Sequence, residues 1–359
     1  RVTLVDQFGP GNSRASSGDE TRGVRTSYGD RDHGRQWMVW ASEAIRRWVR
    51  FDEEYGRDLR TRLYFRTGDL ICRSSMEPFL ERTVQWWKEL GIQHDVLSGD
   101  EVRYRFPQMQ LDDMNAAILE HDAGVVRARR ACEAVAEVFR REGGTIVTAR
   151  AECATANGDG AGSVTLSPGG AIAADSYVFA CGPWLPKVFP QHMATRMRTP
   201  MGHVFYFGTP AGDNRFTFPN MPSWNFGGTT GWPALTHDNR GFRLRSGGRA
   251  SEDPDTVDRA LLPEHFTRAR ELLAQRFPAM AGAPVLETRA CHYESSISRN
   301  FIIDRLPGST NVWIAGCGNA EGFKMGPVAG EYAANRVAGR PTAEALDEQF
   351  RFPEAEYES

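Results

Sequence analysis

Residues 312 to 324 set the tightest limit on how this chain folds. Val312-Trp313-Ile314-Ala315 is an unbroken apolar run of strand length, and it passes directly into Gly316-Cys317-Gly318 and on to Gly322-Phe323-Lys324. A helical pattern begins near Pro327. A strand leading through a glycine-rich turn into a helix sets backbone N–H groups and a helix N-terminus in front of a ligand. The turn alone says little, because many strand-to-helix connections use glycine for geometry only. What precedes it adds the constraint: Cys291-His292-Tyr293, then the apolar strand Phe301-Ile302-Ile303-Asp304. Another buried strand, Tyr177 to Ala180, feeds the turn Cys181-Gly182-Pro183-Trp184, and the chain opens on Val2-Thr3-Leu4-Val5-Asp6, which reads as a buried strand ending in an acid. Together these argue for the α/β class.

Composition removes several alternatives. The 359 residues accommodate two domains, or one α/β unit with an inserted lobe. A formal net charge of -3 gives no reason to expect nucleic acid or an anionic membrane as partner. Apolar runs fall far short of the roughly 18 residues a membrane span requires. The six cysteines show neither a CxxC pair nor zinc spacing, which argues for free thiols, no metal and a reducing, cytoplasmic setting.

The first half alternates helices and strands. Trp37, Trp40, Ala41, Ala44, Ile45, Trp48 and Val49 recur at helical spacing over residues 36 to 55, and the tryptophans read as core. Tyr64 to Cys72 reads as a hairpin, or a strand bent at Thr67-Gly68. Helices follow over Met76 to Leu90, closed by Gly91, and Arg129 to Glu142, before a strand at Thr145. From Arg198 to Glu287 short strands dominate, with one helix from Pro263 to Arg276; this reads as an antiparallel sheet under helical cover. In Arg243-Leu244-Arg245 the two arginines share one face.

Two polar motifs are candidates for a site. An acid ending the second strand of a dinucleotide-binding unit holds the adenosine ribose, about 20 residues after the glycine fingerprint. Asp6 suits that place, which implies an N-terminal strand, G-x-G-x-x-G turn and helix ahead of Arg1; the plain alternative is an ordinary strand-end acid. Thr21-Arg22-Gly23-Val24-Arg25 follows the small turn Ser16-Ser17-Gly18. On a helical turn its two arginines would lie on one side. Arginine suits bidentate carboxylate binding. Taken alone, the stretch favours two solvated surface arginines.

Thr21–Arg25 together with Cys291–Lys324 resembles the sarcosine oxidase family, among the D-amino-acid-oxidase-like flavoproteins, and the likeness extends over nearly the whole chain. The resemblance implies an FAD-binding, Rossmann-like doubly wound domain from residues 1–56, 122–195 and 288–359. It implies an inserted antiparallel-sheet substrate domain from 57–121 and 196–287. FAD contacts would fall on Asp6, Ser17, Thr21, Arg22, Gly182, Trp184, Cys291, Gly316, Gly318, Gly322, Phe323 and Lys324, with Cys291 carrying the flavin covalently through its 8α-methyl group. Arg22 would lie against the flavin, Arg25 and Lys324 would hold a substrate carboxylate, and Tyr293 would wall the pocket. Arg243 stands where the family has a lysine that activates oxygen near N5.

The implied reaction is oxidation of a secondary amine or amino acid to an imine that hydrolyses, with electrons passing to O2 to give H2O2. The implied protein is a monomer or small oligomer. The chain departs from the family pattern at Arg243, at Phe226 in place of tyrosine, and at Ser16-Ser17 in place of histidines with one residue inserted before Thr21. It departs again at Gly318-Asn319-Ala320-Glu321, where the family has a histidine and one residue fewer. These departures point away from sarcosine as substrate. They keep open a dehydrogenase using another acceptor, and a flavin-binding protein without turnover. Plain readings also stand for Cys291 as a small buried hydrophobe, Gly182-Trp184 as a structural turn and Lys324 as a surface residue.

Overall fold

The computed structural model describes residues 1–152, 160–235 and 240–357. Its largest element is an eight-stranded mixed sheet. The strand order is Val285–His292, Met201–Phe207, Phe242–Arg249, Thr230–Trp232, Ser223–Asn225, Asp69–Arg73, Ala116–Glu120, His94–Ser98. One neighbour pair, Ser223–Asn225 with Asp69–Arg73, is parallel; the others are antiparallel. A wholly antiparallel sheet was the expectation. The difference arises because these two strands belong to distant segments, so no hairpin dictates their relative direction.

Side chains alternate across this sheet. Phe205, Phe207, Phe242 and Leu244 point to one face and pack with Ala269, Leu273 and Phe277, under the helix Pro263–Arg276. The register puts Gly202, Val204, Tyr206, Arg243, Arg245, Arg289 and Cys291 on the opposite face. Arg243 and Arg245 therefore do share a face, as their spacing implies. Cys291 sits inside a strand rather than ahead of one.

The remaining sheets are small. Thr3–Asp6 pairs in parallel with Thr145–Thr148. Tyr177–Phe179 pairs in parallel with Val312–Gly316, which Ile302–Arg305 joins antiparallel. Val312, Trp313 and Ile314 are buried as their composition demands. The opening strand is not: Val2 is 63% and Leu4 44% exposed, because among the described residues nothing covers the face these two alternate side chains share. Tyr64–Phe65 and Asp69–Arg73 do not pair with each other. Gly68, at φ +71°, turns the chain from one sheet into another.

Helix Gly34–Tyr55 buries its tryptophans as core. Trp37 stacks on Phe301 at 5.3 Å between ring centroids and Trp48 on Phe323 at the same distance. The helix Pro78–Leu90 closes on Gly91 in the left-handed conformation. Helix Gly322–Val337 begins before Pro327, not at it. Cys317, Asn319 and Ala320 have positive φ, and the helix opens once that left-handed turn is complete. Inside the helix Pro327 forfeits its own N–H bond. Among the described residues no helix is long and apolar enough to cross a membrane.

Candidate active site

The two arginines of Thr21–Arg25 do not lie on a helical turn. Arg22–Val24 is a strand, paired with Gly124–Val126, which in turn pairs with Tyr64–Phe65. In extended chain an odd separation sends side chains to opposite sides, so Arg22 and Arg25 build two separate charge clusters.

The Arg22 cluster is centred on Asp19, which is 1% exposed. Its carboxylate accepts from Arg22, from the Tyr206 hydroxyl at 3.1 Å and from the Glu20 N–H at 2.8 Å. Arg243 reaches the same carboxylate at 3.5 Å. Tyr206 donates to Asp19 and so receives from the Thr21 hydroxyl, 3.0 Å away, which accepts in turn from Trp232 Nε1 at 2.9 Å. The Arg243 guanidinium lies over the Trp232 ring, 3.8 Å from its centroid. Burial would raise the Asp19 carboxyl, but Arg22 and Arg243 outweigh it and hold it below the usual range. Cys291, strand partner of Gly202, is half-buried; burial and then Asp19 push its thiol upward, with Arg22 opposing through charge and a hydrogen bond. Ser17 bonds to Cys132, whose thiol also feels Arg22 and Asp6.

On the other side Arg25 faces Asp69, Nε to Oδ2 3.7 Å. Asp69 is the strand partner of Glu120, and both are buried. Burial raises the Asp69 carboxyl, with Arg25 pulling it back. Burial also lifts Glu120 to about 7, opposed by the Thr26 N–H it accepts at 2.9 Å. Lys324 is buried, not at the surface, and its ammonium contacts Glu321. Glu321 also accepts from the Tyr28 hydroxyl at 2.9 Å and meets Arg31 at 3.5 Å. Burial works against the Glu321 charge, but Lys324, Arg31 and Arg25 bring its carboxyl down to about 2. Burial lowers Lys324, which Glu321 counteracts.

Trp232 separates two small clefts. One is bounded by Gly23, Arg25, Asp69, Ser223, Thr230 and Trp232. The other is bounded by Thr21, Tyr206, Trp232 and Arg240 among others. Tyr293 faces Arg245, whose guanidinium is 5.7 Å from the ring centroid. In the glycine turn, Glu294 accepts from the N–H groups of Cys317 at 3.1 Å and Gly318 at 3.0 Å. A Cβ on Gly316 would meet Leu185 Cδ1 at 2.5 Å, so that side chain would have to shift. Asn319 ties the turn to Ser296 and Asn300, which explains a non-glycine residue at positive φ. Gly322 opens the helix, and Phe323 packs on Trp48. Asp6 ends its strand and accepts from the Phe8 N–H. Gly182 takes φ +54°, and Trp184 donates to Asp255 at 2.7 Å.

Residues 1–336 match the family model described as FAD dependent oxidoreductase. The chain belongs to this family. By sequence it is 26% identical over 339 residues to a monomeric sarcosine oxidase of Bacillus sp. strain B-0618, covering 92% of this chain and 84% of that protein. It is 24% identical over 347 residues to an N-methyl-L-tryptophan oxidase of Salmonella dublin, covering 96% and 90%. By structure it resembles iminodiacetate oxidase from Chelativorans sp. BNC1, with TM-score 0.78, 21% identity and 99% and 94% of the two chains covered. It also resembles glycine oxidase from Geobacillus kaustophilus, with TM-score 0.81, 15% identity and 99% and 92% covered. The fold is thus that of FAD-dependent oxidases.

The residues present suit that cofactor. Arg243 Nε is buried with no hydrogen-bond partner, and an orphaned guanidinium donor beside a half-buried thiol and an indole face fits a planar group that presents hydrogen-bond-accepting oxygens and gains negative charge on reduction. Sequence reasoning missed Asp19, Tyr206, Trp232, Asp69 and Glu120. Asp19 had a faint signal, an acid three residues before Arg22. The others come together only through strand register.

Proposed function

We propose that this protein oxidises a secondary amine or amino acid, with FAD as cofactor and O2 as electron acceptor. FAD, when bound, supplies the two-electron acceptor. The amine loses two electrons and two protons to become an imine, water then splits the imine, and O2 takes up the electrons and protons as H2O2. The observation that carries this reading is the meeting of Arg25 and Lys324, from opposite ends of the sequence, around the Glu321 carboxylate. Arg25 is the principal clamp for a substrate carboxylate. Its nearest acid, Asp69, stands off at 3.7 Å and is pushed by burial towards the neutral form. Lys324 is tied to Glu321 and contributes through its field. We assign Tyr293, beside Arg245, to the pocket wall. Arg22, locked by Asp19 and the Ser16 carbonyl, gives a fixed positive wall on the cofactor side.

We assign Cys291 as the covalent attachment point. Its half-buried thiol lies on the charged sheet face within hydrogen-bonding reach of Arg22, a cation that opposes the upward push of burial and Asp19. Asp6, Ser17, Gly182, Trp184, Gly316, Gly318, Gly322 and Phe323 complete the proposed cofactor contacts. We assign residues 1–56, 122–195 and 288–359 to the cofactor and 57–121 with 196–287 to the substrate, the strand Val285–His292 joining the two. The five described cysteines are free, which supports a reducing, cytoplasmic setting.

Acid precipitation tests this reading. Yellow retained in the pellet of the wild type and released in Cys291→Ala supports it, and no flavin in either fraction sinks it. A second reading, a dehydrogenase, is favoured by Arg243: its charge is already met by Asp19 and Trp232. Rapid peroxide formation with an amine substrate would exclude that alternative.

A further inference from the structure

Arg245 is the cation of the charged sheet face that lacks an anion. Arg22 and Arg243 share Asp19, and Arg289 pairs with Glu287 at 2.6 Å. Among the described residues Arg245 has no hydrogen bond and no ion pair; its one close partner is the Tyr293 ring. Burial disfavours its charge and Arg243 adds to that, with Arg22 and Arg25 contributing further. Four guanidinium groups therefore crowd one region, and the local acids do not reach Arg245.

The fold makes room for this side chain deliberately. Gly202 lies opposite Cys291 in the sheet, and a Cβ on Gly202 would stand 3.0 Å from Arg245 Nε and 3.1 Å from Nη2. Burial also grades along the strand: Arg243 is 3% exposed, Arg245 is half-buried, and Gly247 and Gly248 are open to solvent. Arg245 thus stands between the buried Arg243 and solvent, near enough to Arg25 to feel its charge, so that a small ligand held at one end by Arg25 can reach it with the other.

We propose that Arg245 binds a second carboxylate of the substrate, so that the preferred amine carries two acidic groups, as an N-substituted acidic amino acid or an iminodicarboxylic acid does. The planar guanidinium fork matches a carboxylate, and a charge-assisted pair in a half-buried site discriminates strongly against a ligand that lacks it. The inference rests on the amine-oxidising reading above and names its substrate class.

The test is titration calorimetry of the flavin-loaded protein with succinate and with butyrate, which match in length and differ by one carboxylate. Wild type is expected to bind succinate at least about tenfold more tightly. Arg245→Met should abolish that ratio while leaving butyrate affinity within about twofold, and Arg245→Lys should keep part of it. Gly202→Ala keeps the charge but displaces the guanidinium, and should also reduce the ratio. Equal affinities in wild type, or a preference surviving in Arg245→Met, would overturn the proposal. So would flavin loss in Arg245→Met with the ratio intact, since Arg245 would then serve the cofactor. Flavin content read by absorbance judges the parent reading separately. A chain without flavin would sink that reading, while the succinate-to-butyrate ratio would still decide the role of Arg245.

Discussion

Replacing Glu120 with glutamine isolates the proton held in the buried acid pair. Glu120 is 1% exposed, lies directly across from Asp69 in the sheet, and has its carboxyl lifted from 4.5 to about 7 by burial. The folded pKa lies above the unfolded one. Between 4.5 and 7 the native state therefore keeps a proton that the unfolded chain has released. The stabilisation linked to that proton is complete below 4.5 and is lost as pH rises through 7. Each pH unit in that window is worth about 1.4 kcal/mol, so wild type should lose about 3 kcal/mol relative to Glu120→Gln between pH 4.5 and 7.5. Glutamine keeps the acceptor for the Thr26 N–H and removes the charge. The assay is urea denaturation of both proteins across this range, read as the difference in unfolding free energy so that the titrations of groups not coupled to Glu120 cancel. A difference that stays flat within about 0.5 kcal/mol would refute the reasoning and mean that Glu120 is ionised and solvated in the native protein.

Other outcomes follow from the same geometry. Asp19→Asn leaves Arg22 and Arg243 facing each other without a counter-charge; urea titration should show a loss of about 3 kcal/mol, partly restored by adding Arg243→Met. Arg25→Met should raise KM for a carboxylate-bearing amine about 10- to 100-fold with a smaller effect on kcat, read by steady-state kinetics. Gly231→Ala would place a Cβ 2.1 Å from the Arg243 carbonyl oxygen and 2.4 Å from Trp224; denaturant melts should show about 2 kcal/mol of destabilisation.

Local elements were legible where pattern and burial agree. The helix Pro263–Arg276 matches its apolar spacing to the residue, and the tryptophans of Gly34–Tyr55 are core as their period implied. Lys324, Cys291 and Arg25 could be singled out by motif, but their partners could not. Arg22 and Arg25 look like one clamp at a three-residue spacing, yet strand geometry sends one to Asp19 and the other to Asp69. Glu321 reads as an intruder in the turn, whereas in space it is the hub joining Lys324, Tyr28 and Arg31.

The sequence by itself determined the α/β class, the helices whose faces repeat every three to four residues, the sharing of one face by Arg243 and Arg245, and the family. Each of these follows from local stereochemistry or from a motif, and needs no knowledge of distant partners. Tertiary structure alone decided that Arg243 joins Arg22 on Asp19, that Asp69 faces Glu120, that Gly202 leaves space for Arg245, and that Ser223–Asn225 runs parallel to Asp69–Arg73. Such pairings depend on how segments far apart in the chain meet, and a one-residue shift of register would turn the strand-borne charges of Arg243, Asp69 and Glu120 to the other face.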